Sequence, residues 1–95
     1  MIQSFRSKAL ARFWNDGDPD RGDPKGVKGD LRDRVRRVLA SLDAAQALAE
    51  LPPGLGTHPL QGKPKRWGME VNAQWRITFE WRDGGALSVD LEQYH

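Results

Sequence analysis

Apolar residues recur along this chain with two different periods, and the change of period divides it into halves. In the first half they fall three and four residues apart: Leu10, Phe13 and Trp14, then Val27, Leu31, Val35, Val38, Leu39 and Leu42. Such spacing gathers each set on one side of an α-helix. Ser7 stands where the first helix needs an N-cap, and Gly17 where it would stop. In the second half the period is two. Met69 and Val71, then Trp75, Ile77, Phe79 and Trp81, then Leu87, Val89 and Leu91 each predict a strand with one apolar face. Asn72-Ala73 predicts a tight turn between the first and second of these strands. Asp83-Gly84 predicts a type I′ turn between the second and third, because both central residues of that turn need positive φ. Ile2 to Phe5 adds a short N-terminal strand.

The connections read differently. Residues 15–26 are rich in Asp, Gly and Pro and bury almost nothing, which predicts a mobile acidic loop. Pro52-Pro53-Gly54 ends the helical pattern, and the chain from there to Gly62, including the turn-like stretch Thr57 to Gly62, reads as loop. The expected architecture is a single α+β domain over residues 1–95: a short N-terminal strand, two helices, then an antiparallel three-strand meander, forming one sheet with the helices on one face. Strand alternation puts Gln74, Arg76, Thr78 and Glu80 on the face away from the helices, with Ser88, Asp90 and Glu92 beside them on the last strand.

Composition narrows the function classes. A chain of 95 residues with 38% hydrophobic side chains has one core and is not a disordered segment. It has no cysteine, which excludes disulfides, thiolate catalysis and cysteine-ligated zinc. No apolar run is long enough to span a membrane and the first residues do not form a signal peptide, so the expected location is the cytoplasm, with no membrane partner. The net charge is only +2, but it is unevenly spread. Asp16, Asp18, Asp20 and Asp23 are followed by Lys25, Lys28, Arg32, Arg34, Arg36 and Arg37, and Lys63, Lys65 and Arg66 form a second basic cluster. Lys28, Arg32 and Arg36 repeat every four residues, so they line a stripe beside the apolar one. That stripe is either a rail for phosphates or a solvated flank.

Imidazole chemistry near neutral pH has only two sources here, His58 and His95. The second directly follows Tyr94 after a strand-like run, and Arg76 sits in the middle of a central strand on its open face. No pair of histidines has the spacing of a metal site and no glycine-rich phosphate loop follows a strand, so metal and nucleotide-cofactor chemistry find no support.

Taken together, Ile2-Gln3-Ser4-Phe5, His58-Pro59-Leu60-Gln61-Gly62, Trp75-Arg76-Ile77-Thr78-Phe79, Asp83-Gly84 and Val89-Asp90-Leu91-Glu92-Gln93-Tyr94-His95 resemble the HigB toxins of the RelE/ParE superfamily, in the same order and over nearly the whole chain. The resemblance implies a RelE-like fold and the toxin of a type II toxin–antitoxin pair, with a helix-turn-helix (HigA-like) antitoxin as partner. It further implies a ribosome-dependent mRNA endonuclease, working without metal or cofactor, in which a ribose 2′-hydroxyl attacks the adjacent phosphate. By the same resemblance His58, Tyr94 and His95 are the catalytic residues and Arg76 a phosphate contact, while Gln61, Lys63, Gln93 and the stripe Lys28, Arg32 and Arg36 are further candidate RNA contacts by their residue type and position in the chain. The family's usual motifs read His-Pro-Leu-Lys-Gly and a closing Asp-Tyr-His, so Gln61 and Gln93 each replace a charged residue. Two other readings stay open: a non-enzymatic inhibitor of the ParE type that poisons gyrase, and a relative that binds RNA or antitoxin without cutting.

The bare chemistry agrees with the first reading. Such cleavage needs a base for the 2′-hydroxyl, an acid for the departing oxygen and a cation for the developing charge. Two imidazoles and a guanidinium supply those groups, and a tyrosine can hydrogen-bond a phosphate or stack on an unpaired base.

Overall fold

The structure is a computed structural model that describes residues 1–16, 30–51, 54 and 56–93. The expected acidic loop from Gly17 onward, Val27, Lys28, Pro52-Pro53 and the terminal Tyr94 and His95 lie outside the described residues.

Two helices, α1 (Lys8–Asp16) and α2 (Asp30–Ala44), precede four strands, β1 (His58–Leu60), β2 (Arg66–Glu70), β3 (Trp75–Arg82) and β4 (Gly85–Gln93). The strands form one antiparallel sheet in the order β1-β2-β3-β4. Helix α1 starts where Ser7 Oγ accepts the Leu10 amide at 3.2 Å, the N-cap read from sequence. Its Leu10 and Phe13 join Val35, Val38, Leu39 and Leu42 of α2 in one core with Met69, Ile77, Phe79, Val89 and Leu91 of the sheet. Both helices therefore cover a single face, as the α+β reading requires. Arg36 of α2 closes the edge of this layer with its guanidinium 4.8 Å from the centre of the Phe13 ring.

The turns follow their chemistry. Asp83 and Gly84 both adopt positive φ, 54° and 74°, the backbone of the type I′ turn. At Asn72 the side-chain oxygen accepts the amides of Gln74 and Trp75 at 2.8 and 2.7 Å, so an Asx turn joins β2 to β3.

Three expectations need correction. First, His58–Leu60 is a strand, not part of a loop. Three residues are too few to show an alternation, and the central Pro59 disguises the segment; a proline is tolerated there because β1 is an edge strand. Second, Ile2 to Phe5 makes two isolated parallel bridges, to Ala86 and Val89, along the free edge of β4 rather than a full strand. Third, Leu87 does not share a face with Val89 and Leu91. Thr78 pairs with Asp90 but Glu80 with Leu87, so β4 carries one residue more than β3 over this stretch. The bulge shifts the phase of the alternation and turns Leu87 to the face of Glu80. Ser88 takes a positive φ of 49° in the bulge. Its amide and carbonyl still find partners, Ser4 Oγ at 2.9 Å and Arg66 Nη2 at 2.8 Å.

The N-terminal segment lies close against β4, and Gly85 makes this possible. A Cβ at Gly85 would meet Gln3 Nε2 and lie 2.9 Å from the Met1 carbonyl oxygen. Gly85→Ala is expected to displace residues 1–5 from the edge and to cost about 1–3 kcal/mol, as overpacking does. A urea titration checks this: the midpoint should fall, whereas an unchanged midpoint would mean the segment contributes little to the fold.

Candidate active site

The sheet face away from the helices is built in rows that cross the strands. Leu60 pairs with Arg66, next to Glu80 and Leu87. The second row runs His58, Gly68, Thr78, Asp90, and the third Glu70, Arg76, Glu92. His58 and Arg76 thus share the open face in neighbouring rows, about 10 Å apart across two strand spacings and about 7 Å along the strands. Between them stand Gly68 and Thr78, both buried, with Arg66 bonded to the Thr78 hydroxyl.

His58 is seated by two glycines. Its Nδ1 donates to the Gly56 carbonyl oxygen at 2.7 Å, and Gly56 holds that carbonyl with a φ of 60°. Across the strand pair stands Gly68, where a Cβ would come 3.4 Å from His58 Cε1, 3.6 Å from Nε2 and 3.3 Å from Leu60 Cδ2. The absent side chain leaves room for the imidazole to lie over β2.

Arg66 is a closely held cation on this face. Its Nη2 donates to Thr78 Oγ1 at 3.0 Å and to the bulged Ser88 carbonyl at 2.8 Å, while Nη1 is 3.5 Å from Glu80 Oε2. The side chain is only 11% exposed, so the guanidinium clasps β2, β3 and β4 together. Burial lowers its pKa from the ordinary value; Arg6 adds to the shift, and Glu92, Glu80 and Asp90 oppose it. Two carboxylates on this face are also paired: Glu80 lies 3.8 Å from Arg82 as well, and Glu92 is 3.7 Å from Arg6.

The other residues expected at the site are dispersed. Gln61 and Lys63 lie exposed in the loop after β1, at the end of the sheet away from Arg76. Gln93 pairs with Trp75, so its position belongs by register to the face of Ile77 and Leu91, at the exposed end of β4. Arg32 and Arg36 are half-buried on α2, in the helical layer on the far side of the sheet from His58, with Arg36 held over Phe13. Lys28, Tyr94 and His95 are outside the described residues. Arg76 is half-buried and not the freely exposed side chain that alternation alone suggests; its row neighbours are Glu70 and Glu92. Sequence reasoning missed the seat of His58 and the clasp of Arg66. The only sequence signal for the seat was Gly68 inside a strand pattern, which marks a close approach.

Among the described residues no group of three or more His, Asp or Glu could hold a metal ion, and no helix is long and apolar enough to cross a membrane.

With this geometry in hand, comparison with known proteins decides the family. The family described as the RelE-like toxin of type II toxin-antitoxin system HigB matches residues 3–95. The chain belongs to the HigB-like toxin family. It is 34% identical over 97 aligned positions to the Endoribonuclease HigB of Proteus vulgaris, covering 100% of both chains. To the Toxin HigB-1 of Vibrio cholerae serotype O1 it is 37% identical over 97 positions, covering 99% of this chain and 98% of the relative. As a HigB-like toxin of the type II class, it has an antitoxin for a partner.

Proposed function

We propose that this HigB-like toxin is a ribosome-dependent mRNA endonuclease that stops translation in the cytoplasm. The observation that carries the reading is the open sheet face, where the seated His58 and Arg76 occupy neighbouring rows in a chain related over its full length to a protein named an endoribonuclease. The ribose 2′-hydroxyl attacks phosphorus, a new P–O2′ bond forms and the P–O5′ bond breaks, leaving a 2′,3′-cyclic phosphate and a 5′-hydroxyl. Arg76 steadies the charge that gathers on the phosphate oxygens, by bidentate hydrogen bonds. His58 and His95 serve as the base and acid, and Tyr94 holds the phosphate or stacks on a base; the sequence places the last two directly after β4, the strand that carries Asp90 and Glu92 on the open face. Gln61 and Lys63 approach the RNA from the loop beside β1, and Gln93 from the end of β4. Arg32 and Arg36 act away from the scissile bond, since α2 lies behind the sheet, and Lys28, which shares their four-residue period, is a further candidate RNA contact. The antitoxin is a helix-turn-helix protein.

The test is to incubate the toxin with an mRNA alone, with the same mRNA under translation, and with gyrase and relaxed plasmid. Cuts should appear only under translation. Blocked supercoiling without cuts would replace this reading with the ParE-type inhibitor, and neither effect would leave a binding protein.

A further inference from the structure

His58 offers two ring nitrogens to an RNA, and the structure removes one of them. A carbonyl oxygen can only accept, so the 2.7 Å contact between Nδ1 and Gly56 requires a proton on Nδ1. The neutral ring must then carry its lone pair on Nε2, the tautomer opposite to the one free histidine prefers in water. Nε2 lies 3.6 Å from where a Cβ at Gly68 would stand, so no side chain of β2 lies beneath it, and the row continues across the sheet to the buried Thr78 and Asp90.

We infer that Gly56 and Gly68 are positioning residues that commit His58 to act through Nε2 as the proton acceptor, the Gly56 carbonyl by fixing the tautomer and Gly68 by keeping the space under the ring empty. The inference rests on the endonuclease reading for the reaction itself. In that reaction the 2′-hydroxyl proton passes to Nε2 as the P–O2′ bond forms, and the departing O5′ takes a proton from a second donor, His95 or water. Nδ1 stays on Gly56 throughout. A φ of 60° strains any L side chain at position 56, and a Cβ at position 68 would already touch the ring at 3.4 Å and crowd Leu60 Cδ2 at 3.3 Å, so a larger side chain there would displace the imidazole.

Nitrogen-15 NMR of the full chain labelled at histidine reads the tautomer directly, with His58 assigned by its absence in His58→Gln. The neutral His58 ring is expected to show a protonated Nδ1 and a lone-pair Nε2. Gly56→Ala should mix the tautomers and lower single-turnover cleavage about 10- to 100-fold, part of the roughly 10²–10⁴-fold that a general base contributes, with RNA affinity unchanged. Gly68→Val should lower cleavage similarly by displacing the ring while the Nδ1 proton remains. A protonated Nε2 in the neutral ring of the parent overturns the inference, whatever the variants do, as does full activity in Gly56→Ala with mixed tautomers. A parent that shows the expected tautomer yet cuts no mRNA under translation overturns the endonuclease reading instead, and with it the base role, while the hydrogen-bonded seat stands.

Discussion

Arg66→Met should unfold this toxin at a temperature on the order of 15 °C below the parent, corresponding to about 3 kcal/mol in a domain of this size. The methionine keeps the bulk of the stem but removes the guanidinium that binds Thr78 Oγ1, the Ser88 carbonyl and Glu80. A charge-assisted hydrogen bond contributes about 1.5–3 kcal/mol, and the Ser88 carbonyl of the bulge would lose its side-chain donor. Glu80 retains Arg82 at 3.8 Å, which limits the loss. Burial lowers the Arg66 pKa, but arginine titrates far above neutrality, so the difference between variant and parent should not vary between pH 6 and 8. Thermal unfolding followed by circular dichroism checks both statements. A melting temperature within a few degrees of the parent would show that the clasp is incidental to the fold.

Removing only Tyr94 and His95 should have the opposite profile, with function lost and the fold kept. The last buried residue of β4 is Leu91, and the strand's pairing with β3 ends at Gln93. A chain ending at Gln93 therefore retains the core and every strand pair described above. What disappears is one of two histidines and the only tyrosine. If they supply the acid and a phosphate contact, cleavage should fall about 10²–10⁴-fold from the acid–base loss alone. The comparison is growth arrest on induction at matched soluble levels. Equal arrest by both chains would move the active groups elsewhere on the protein.

How much of this was legible in the sequence depended on the physical signal each feature leaves. Long amphipathic patterns were plain: the stripe of α2, the alternation in β3 and the Asp83-Gly84 turn each have a strong local cause. Short or composite features were not. Strand β1 is three residues around a proline, and its pairing with β2 is non-local. The bulge at Ser88 depends on partners 84 residues away in sequence, such as Ser4, so no window along β4 could show it. His58 and Arg76 were singled out by residue type, but that they stand in adjacent rows follows from the sheet register alone. The helical arginines carry the reverse lesson. Their four-residue period was correctly read as a stripe, while Arg36 spends its charge on the Phe13 ring and the whole helix lies behind the sheet. Periodicity tells which residues share a face of one element and leaves open which side of the molecule that element covers.

His58, on the open sheet face, is proposed to cleave mRNA during translation. The most direct measurement maps the RNA ends made in a translation reaction by the parent and by His58→Gln, together with their chemistry. The parent is expected to produce new 5′-hydroxyl ends within the translated region, matched by upstream fragments ending in 2′,3′-cyclic phosphate, and His58→Gln at equal concentration should produce them at least about 100-fold more slowly. New ends of the same chemistry formed as fast by His58→Gln, or none formed by the parent, would contradict it.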